Sequence, residues 1–303
     1  ALMAALADTI AGAPSGGAAG GGADGGADGG FDGGFDGGAG PSSGSAGLVR
    51  AADRAWRTLT TGFCFGVFGL GGLVLALVVF PAFHLVIRHP ERRARLAQLS
   101  VHKAFRAFVA LMRGSGPVAL DAHGLETLKD LRGTIVVANH PSLIDVVFLM
   151  AFMRRTRAVV KEGVWRNPFM AGVVSAARYI PNHRDPERLV ADCVAALQEG
   201  FNLVIFPEGS RTPPGEARRY QKGFAHVALA AGAPVQIVTI RVDPPWLIKG
   251  LPWRRLPPRR PRWTIRVHER IDTVERYGKD RTPMAVRRLT SDVGARIEGL
   301  LQT

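Results

Sequence analysis

The stretch Thr134-Ile-Val-Val-Ala-Asn-His140-Pro-Ser-Leu-Ile-Asp145 decides the fold of this chain. It opens with a short β-branched run of the kind that forms a buried strand, continues through a polar turn at 139–142 and enters an apolar helical segment. A strand that ends in a polar turn before a helix is the repeating unit of an open α/β sheet. Sites in such sheets lie at the carboxyl ends of the strands, so we expect a functional site at this turn.

Short β-branched runs alternate with helical patterns on both sides of this stretch. The alternation predicts an α/β fold with a mixed, largely parallel sheet flanked by helices. The clearest strands are predicted at 134–138, 158–161, 203–206 and 235–241. Helices are predicted at 91–113, 142–154, 186–199, 223–231 and 284–301, and Asp185-Pro186-Glu187 is the start signal of the third.

A long apolar run precedes the predicted sheet, since residues 59–87 contain no Asp, Glu, Lys or Arg. At about 1.5 Å per residue the run can cross a hydrocarbon core of about 30 Å, or fold back at Gly69-Leu-Gly-Gly72 as a monotopic hairpin. A buried core helix usually has a shorter apolar stretch, so we expect an N-terminal membrane helix or helical hairpin. The run predicts a membrane location, which we expect to be a bacterial inner membrane. The arginines immediately after the run favour a cytoplasmic position for the domain that follows.

Composition divides the chain into three predicted regions. Residues 1–49 are dominated by Gly, Ala, Ser and Asp and contain no Lys or Arg, which predicts a disordered tail. Residues 50–113 are expected to anchor the chain to a membrane, and residues 114–303 to form one catalytic domain. The net charge of +14 suits anionic partners, among them nucleic acid, an acidic leaflet or a phosphorylated cofactor.

Two cysteines, Cys64 and Cys193, are too few for a disulfide framework or a CxxC metal site, and they fit a reducing compartment. No HExxH motif, clustered metal ligands, GxxxxGK[ST] loop or GxGxxG loop after a strand is present, so no metal or nucleotide cofactor is expected. Nucleic acid is not an expected partner either, because no recognised module accompanies the basic charge.

His140 and Asp145 are the first candidate catalytic pair. Five residues apart on a continuous helix they would lie on different faces, so the pair requires a turn at Pro141-Ser142 that brings Asp145 back to His140. The carboxylate would then fix the imidazole tautomer and stabilise the imidazolium. The alternative is that Asp145 caps a helix and His140 fills a turn.

A second strand ends in the segment Phe206-Pro-Glu208-Gly209-Ser210-Arg211-Thr. Gly209 permits close backbone approach, and Arg211 offers a planar fork that binds phosphate with two hydrogen bonds. The alternative is a surface turn in which Glu208 and Arg211 pair with each other or with solvent.

The two segments NHPSLID and FPEGSRT together resemble the signature pair of the 1-acylglycerol-3-phosphate (lysophospholipid) acyltransferases, which are glycerolipid acyltransferases of the HxxxxD type. The resemblance covers roughly residues 85–270 and implies a glycerolphosphate-acyltransferase-like fold. It implies that His140 is the general base and that Asp145 orients it. It also implies that the segment Glu208-Gly209-Ser210-Arg211 binds the glycerol phosphate of the acceptor.

Shorter family blocks also have counterparts here. Lys222-Gly223 resembles a basic-Gly step, and Ala233-Pro234-Val235 resembles the block before a strand. Within 178–184 the chain keeps an Ile-Pro pair and Arg184, which we take as a substrate-binding candidate beside Lys222. Arg178 replaces the family's glycine and His183 stands where Asp is common, which leaves a non-standard acceptor head group open.

The resemblance predicts transfer of a fatty acyl group from acyl-CoA or acyl carrier protein to the free hydroxyl of a lysophospholipid, most directly 1-acylglycerol 3-phosphate giving phosphatidic acid. The acyl carrier is then a substrate rather than a cofactor, and the lipid bilayer is a partner. Alternatives are an enzyme of the same family acting on a lyso-aminolipid or polyketide-like lipid, and a non-catalytic membrane lipid-binding protein.

Three features of the site stay open at this point. Ser142 or Ser210 could instead act as an acylated nucleophile. Backbone N–H groups after Pro141 or in the 208–210 turn could stabilise the oxyanion. The segment 246–263 mixes tryptophans with cations, which suits a membrane interface, although a solvated Pro-rich loop is the alternative.

Overall fold

The structure is a computed structural model that describes residues 43–160, 162–166, 168–182, 185–278 and 280–303. Most of the predicted tail at 1–49 lies outside these residues, but its last part is helical from Ser43 onward. The helices are α1 (Ser43–Val74), α2 (Phe80–Val86), α3 (Pro90–Ser115), α4 (Asp145–Phe152), α5 (Glu162–Arg166), α6 (Pro168–Ala176), α7 (Pro186–Gln198), α8 (Gly223–Ala231), α9 (Thr273–Tyr277) and α10 (Pro283–Gln302). The strands are β1 (Ala119–His123), β2 (Ile135–Ala138), β3 (Thr156–Val160), β4 (Ile180–Pro181), β5 (Asn202–Ile205), β6 (Val235–Asp243) and β7 (Arg262–Ile271).

The strands form one seven-stranded sheet in the order β1-β7-β6-β2-β5-β3-β4. Every neighbouring pair is parallel except β6 and β7, which follow each other along the chain and pair antiparallel. The predicted mixed, largely parallel sheet flanked by helices is therefore confirmed. Because β2 lies between β5 and β6 and runs parallel to both, the segments that follow β2 and β5 emerge side by side.

Two hydrophobic clusters cover the two faces of the sheet. One contains Phe108, Phe148 and Trp263 and is formed with α3 and α4; the other contains Phe224 and Leu289 and is formed with α7, α8 and α10. β2 is buried at all four positions, as expected for a central parallel strand covered on both faces. The two clusters therefore enclose β2 and hold its carboxyl end in a fixed position.

The predicted start of α7 is confirmed, with Asp185 as its N-cap residue. The Asp185 carboxylate accepts the backbone N–H groups of Glu187 and Arg188, and Pro186 occupies the first turn, where its missing N–H costs nothing. The bounds of α8 match the predicted 223–231. α4 begins later than the predicted 142–154, because residues 142–144 form a turn.

The apolar run at 59–87 is helical as far as Val86 and belongs to a helical stretch of 43–86 that contains a π-helical segment, Leu75–Val79. By length and composition, Gly47–Val86 can cross a membrane. Of the two alternatives, the fold-back at Gly69–Gly72 is wrong, since the helix continues through those glycines. The chain instead reverses after Val86, where His89 is extended ahead of Pro90 and α3 begins. A proline restricts the preceding residue to extended conformations and pre-organises the first helical turn, so it accounts for the position of the break.

α1 is attached to the loop between β6 and β7. The Arg57 side chain is 2% exposed and donates to the carbonyls of Pro257 and Pro258 at 3.0 Å each. Farther along α1, the ring of Phe65 packs edge-on against Trp253 with 5.6 Å between centroids. The apolar helix α1 and the sheet domain therefore share a packed interface.

The interpretation of segment 246–263 as an aromatic membrane interface is wrong for two of its tryptophans. Trp246 is 3% exposed and Trp263 is fully buried, and their rings pack against each other at 6.0 Å. Trp263 belongs to β7 and faces the core, because alternate residues of a strand point to opposite faces of the sheet.

Candidate active site

Asn139 fixes the backbone where β2 ends. Its side-chain amide donates to the carbonyl of Ile240 at 2.8 Å, and its side-chain oxygen accepts the backbone N–H of the same residue at 2.7 Å. The side chain thus continues the pairing of β2 with β6 one residue beyond Ala138. His140, the next residue, is held at the carboxyl edge of the sheet.

The predicted contact between His140 and Asp145 is confirmed. The Nδ1 atom of His140 lies 2.9 Å from Oδ2 of Asp145, and the same oxygen accepts the backbone N–H of Ser142 at 2.6 Å. Both side chains are buried, with exposures of 2% and 0%. A carboxylate only accepts, so Nδ1 carries the proton and Nε2 of the neutral imidazole keeps its lone pair.

Nε2 of His140 has no hydrogen-bond partner among the described residues. The imidazole stacks on the ring of Phe206 with 4.1 Å between centroids, and it lies on the wall of a cavity of about 1530 Å³. The cavity lining is mainly apolar and comes from α1, α3, α4, α6, α7 and α8. The ring of His140 therefore lines an apolar cavity, with Nε2 buried and without a partner among the described residues and Nδ1 held by a carboxylate.

The loop after β5 holds the backbone of His140 from both sides. Oε1 of Glu208 accepts the backbone N–H of His140 at 2.9 Å, and the backbone N–H of Thr212 donates to the carbonyl of His140 at 3.1 Å. The Thr212 hydroxyl donates to the other Glu208 oxygen. Glu208 thus contacts the loop of His140 directly, and the turn that carries Glu208 requires Gly209, whose φ is 69°.

Arg211 is 5% exposed, and its guanidinium donates to the carbonyl of Leu247 at 2.9 Å. The same carbonyl accepts the backbone N–H of Leu143 at 3.1 Å. Leu247 reaches this position with a left-handed φ of 57°, which is strained for a branched side chain. One carbonyl thereby ties the loop after β2 to the loop after β5.

The remaining candidates for substrate binding lie in different settings. Lys222 is exposed and forms the N-cap of α8, and Ser210 is half-buried in the loop after β5. Arg184 and His183 lie outside the described residues. Of the candidates, Glu208, Ser210 and Arg211 lie in the loop after β5, and this loop contacts the backbone of His140.

Burial raises the pKa of Glu208 to about 7 from its ordinary value of 4.5, although the N–H of His140 opposes the effect. The unfolded chain releases this proton near 4.5 and the folded protein near 7, so the contribution of Glu208 to stability falls as pH rises through that window. In Glu208→Gln, the amide can still accept from His140 and contact Thr212, but it does not titrate. We expect its free energy of unfolding to vary less between these two pH values than that of the wild type.

Glu208→Ala should behave differently, because it leaves the buried N–H of His140 without an acceptor. The expected loss is about 1–3 kcal/mol of stability. Urea denaturation monitored by tryptophan fluorescence at several pH values measures both effects, and Glu126→Gln, at an exposed glutamate, is the control. A Glu208→Gln protein with the pH dependence of the wild type would contradict this assignment.

Several backbone N–H groups that sequence reasoning offered for the oxyanion are already engaged. Ser142 donates to Asp145, Leu143 to Leu247 and Gly209 to the carbonyl of Phe206. The Ser142 hydroxyl is fully buried and has no partner among the described residues, so no contact links it to His140 as a nucleophile would need.

Arg178, which replaces the family's glycine, has a φ of 51° in the left-handed region where glycine is unstrained. Its guanidinium pairs with Glu91 of α3 at 2.7 Å. The residue therefore keeps the backbone conformation of a glycine and directs its side chain to α3. This geometry favours a structural role over contact with a head group.

Trp263 is one of the site residues that sequence reasoning missed. Its indole Nε1 donates to Oδ1 of Asp145 at 3.0 Å. The only sequence signal was a tryptophan in a run of cations, which was interpreted as an interfacial residue. Within the described residues, no group of three or more His, Cys, Asp or Glu side chains could hold a metal ion.

Comparison with known proteins places this geometry in context. The family model described as Acyltransferase matches residues 119–242. A chloroplastic 1-acyl-sn-glycerol-3-phosphate acyltransferase of Brassica napus is 26% identical over 189 residues, which cover 59% of this chain and 52% of that protein. A 1-acyl-sn-glycerol-3-phosphate acyltransferase of Pseudomonas aeruginosa is 25% identical over 157 residues, covering 50% of this chain and 60% of that protein. The chain thus spans between half and two thirds of the length of these relatives.

Among solved structures, the 1-acyl-sn-glycerophosphate acyltransferase of Thermotoga maritima superposes with a TM-score of 0.61. The match covers 84% of this chain and 98% of that chain at 23% sequence identity. At this level of identity the likeness establishes the fold.

Proposed function

We propose that this chain, which matches the family model described as Acyltransferase over residues 119–242, transfers a fatty acyl group from a thioester donor to the free hydroxyl of a lysophospholipid. The preferred acceptor in this proposal is 1-acylglycerol 3-phosphate, which gives phosphatidic acid. The names of the relatives support this acceptor, because they are acyltransferases of 1-acyl-sn-glycerol 3-phosphate. The donor is acyl-CoA or acyl carrier protein.

The observation that carries the proposal is the setting of His140. The ring of His140 lines the cavity, Nε2 is buried without a partner among the described residues, and Nδ1 is held by Asp145. In the proposed reaction, Nε2 accepts the proton of the acceptor hydroxyl as its oxygen attacks the thioester carbonyl. The tetrahedral intermediate collapses, the C–S bond breaks, and the imidazolium returns the proton to the departing thiol.

The charge of Asp145 favours proton transfer from the acceptor hydroxyl to His140, and we call His140 and Asp145 the dyad. The buried Asp145 carboxylate lies beside the ring that becomes positive when Nε2 is protonated, so the two charges stabilise each other. Little rearrangement is needed, because the hydrogen bond is already formed. The dyad is thus suited to a base that gains and then returns one proton.

For the head group we propose that Arg184, Lys222 and the loop of Glu208, Gly209, Ser210 and Arg211 contribute to acceptor binding. Lys222 is exposed at the start of α8, where an N-terminal helix dipole also favours an anion. Arg211 is buried and donates to the carbonyl of Leu247. In this proposal it contributes to acceptor binding by holding the loop in position. Glu208 contributes indirectly through the backbone of His140.

We further propose that α1 places the enzyme at a lipid bilayer, with the sheet domain on the cytoplasmic side. Apolar side chains are exposed on α1 and on the helical segments that continue it to Val86, at Trp56, Leu59, Phe63, Leu70, Leu77 and Leu85. Such a continuous apolar surface suits hydrocarbon better than water. Since the cavity is lined in part by residues 67–75 of this same helical stretch, a lipid can move from the bilayer towards His140 without crossing water.

The apolar cavity would hold hydrocarbon chains during transfer, and Gly71 tests this role. Gly71 lines the cavity, and a Cβ added there meets no atom within 4 Å. We expect Gly71→Leu to fill part of the cavity and to lower turnover of long acyl donors relative to short ones. Each methylene that loses its contacts should cost about 0.8 kcal/mol, or about fourfold in the ratio.

Gly66→Leu is the matched control, because Gly66 lies exposed on the same helix outside the cavity lining and also has open space around it. The measurement is kcat/KM for acyl donors of increasing length. An equal change in both variants, or no change in chain-length preference in Gly71→Leu, would contradict the assignment of the cavity.

The proposed function is tested with purified protein in detergent. Lysophosphatidic acid is compared with other lyso-lipids, and acyl-CoA with acyl carrier protein, by mass spectrometry of the products. Formation of phosphatidic acid supports the proposal. Turnover of a different lyso-lipid alone would replace the acceptor, and no turnover with any pair of substrates would favour a lipid-binding protein.

A further inference from the structure

Asp145 is held by donors on both of its oxygens. Oδ2 accepts from Nδ1 of His140 and from the backbone N–H of Ser142, and both donors belong to the same short loop. Oδ1 accepts from Nε1 of Trp263, which belongs to β7. The terminal torsion of an aspartate is soft, so contacts to one oxygen leave the plane of the carboxylate free to rotate. The indole bond to the second oxygen fixes that plane.

Trp263 is itself fixed by the surrounding structure. It is fully buried, and β7 pairs it with Leu120 of β1 and Val242 of β6. Its ring packs against Phe148 at 5.5 Å and against Trp246 at 6.0 Å. An indole held by two strands and two aromatic rings cannot follow the carboxylate if the carboxylate turns, so it acts as a rigid donor.

The chemistry of the donor also suits the dyad. An indole N–H donates one hydrogen bond and carries no charge. It therefore satisfies a buried carboxylate oxygen without neutralising the carboxylate, whose charge remains available to the imidazolium. A lysine or arginine in the same place would compete with His140 for that charge.

We propose that Trp263 is a positioning residue for acyl transfer: its Nε1–H holds the carboxylate of Asp145 in the plane that keeps the proton of His140 on Nδ1. This inference rests on the proposed role of His140 as base. If the carboxylate turns, the imidazole can take the tautomer with the proton on Nε2, which cannot accept a proton from the acceptor.

Trp263→Phe removes the N–H and keeps an aromatic ring in the core. We expect kcat to fall about 10- to 100-fold, because the base is misplaced or in the wrong tautomer for part of the time. KM for either substrate should change by no more than about twofold, since Trp263 does not line the cavity in which substrate would bind. Trp246→Phe is the matched control, because Trp246 is also buried in the same cluster but its Nε1 donates to the carbonyl of Trp253 at 3.1 Å.

A spectroscopic measurement separates positioning from loss of packing. In long-range proton–nitrogen spectra of protein labelled with nitrogen-15 histidine, His140 of the wild type and of Trp246→Phe should show a single tautomer protonated at Nδ1. Trp263→Phe should show a mixture. This readout needs no substrate, so a failure of the proposed function, with no acyl transfer by the wild type, is distinguishable from a failure of the inference.

Benzothienylalanine incorporated at position 263 gives a second variant that keeps the shape of the indole and replaces its N–H by sulfur. We expect it to reproduce the loss in kcat and the tautomer mixture. The inference is overturned if this variant keeps the wild-type tautomer and kcat, or if Trp246→Phe loses as much kcat as Trp263→Phe.

Discussion

Replacement of His140 by alanine is expected to lower kcat by about 10²- to 10⁴-fold, because no other group would accept the proton of the attacking hydroxyl at that point. His140 lies between Asp145 and the cavity, and its backbone is held by Glu208 and Thr212 independently of the side chain. The loop should therefore keep its course in the variant, and KM should change less than kcat. Initial rates with lysophosphatidic acid over a range of concentrations measure both constants.

The control for this variant is His123→Ala, which removes an exposed imidazole paired with Asp121 at the surface. It should have wild-type kcat. Circular dichroism and thermal unfolding of His140→Ala establish whether the fold persists. A folded His140→Ala protein that retained wild-type turnover would exclude His140 as the base.

The parts of the site that could be predicted from sequence are those whose cause is local. The four residues 141–144 separate His140 from Asp145. Pro141 and the helix that follows restrict the backbone conformations that this turn can adopt. The start of α7 at Asp185 is likewise determined by one cap and one proline. In each case the interaction that decides the geometry lies within a single turn of chain.

Trp263 and Leu247 could not be predicted in this way, since their roles depend on how distant strands align. The indole of Trp263 reaches Asp145 only because β7 lies next to β6 and β6 next to β2. A shift of one residue in the register of β7 would turn Trp263 to the opposite face. The pattern of tryptophans and cations in 246–263 carries no information about that register, and it suggested an interface instead.

Glu208 illustrates a similar limit for motifs. The resemblance to a family implied contact with the acceptor, and chemistry alone offered an ion pair with Arg211. In the structure the carboxylate accepts the backbone N–H of His140, which lies on the neighbouring strand's loop. That contact follows from the parallel pairing of β2 and β5, in which Val137 lies opposite Ile205. Glu208 therefore supports the backbone of the proposed base, and the segment that contains it is also a candidate binding site.

Replacement of Asp145 by asparagine is expected to have an effect of similar size, about 10³- to 10⁴-fold in kcat, with little change in side-chain volume. Asp145 accepts three hydrogen bonds, from His140, Ser142 and Trp263. An asparagine has only one accepting oxygen. With its NH₂ group in the place of Oδ2, it would face two donors, and His140 could relieve the conflict only by moving its proton to Nε2. With the NH₂ group in the place of Oδ1, it would face the indole N–H of Trp263.

The two orientations of the asparagine predict different spectra, which makes the experiment informative beyond a rate. If the NH₂ group replaces Oδ2, the nitrogen-15 spectrum of His140 should show the tautomer protonated at Nε2, and kcat should fall by the full amount. If it replaces Oδ1, the Nδ1 tautomer persists and the loss should resemble that of Trp263→Phe. Asp121→Asn at the surface is the control. Wild-type kcat in a folded Asp145→Asn protein would show that the carboxylate neither orients His140 nor stabilises its positive form, and the dyad would then have to be abandoned as the source of catalysis.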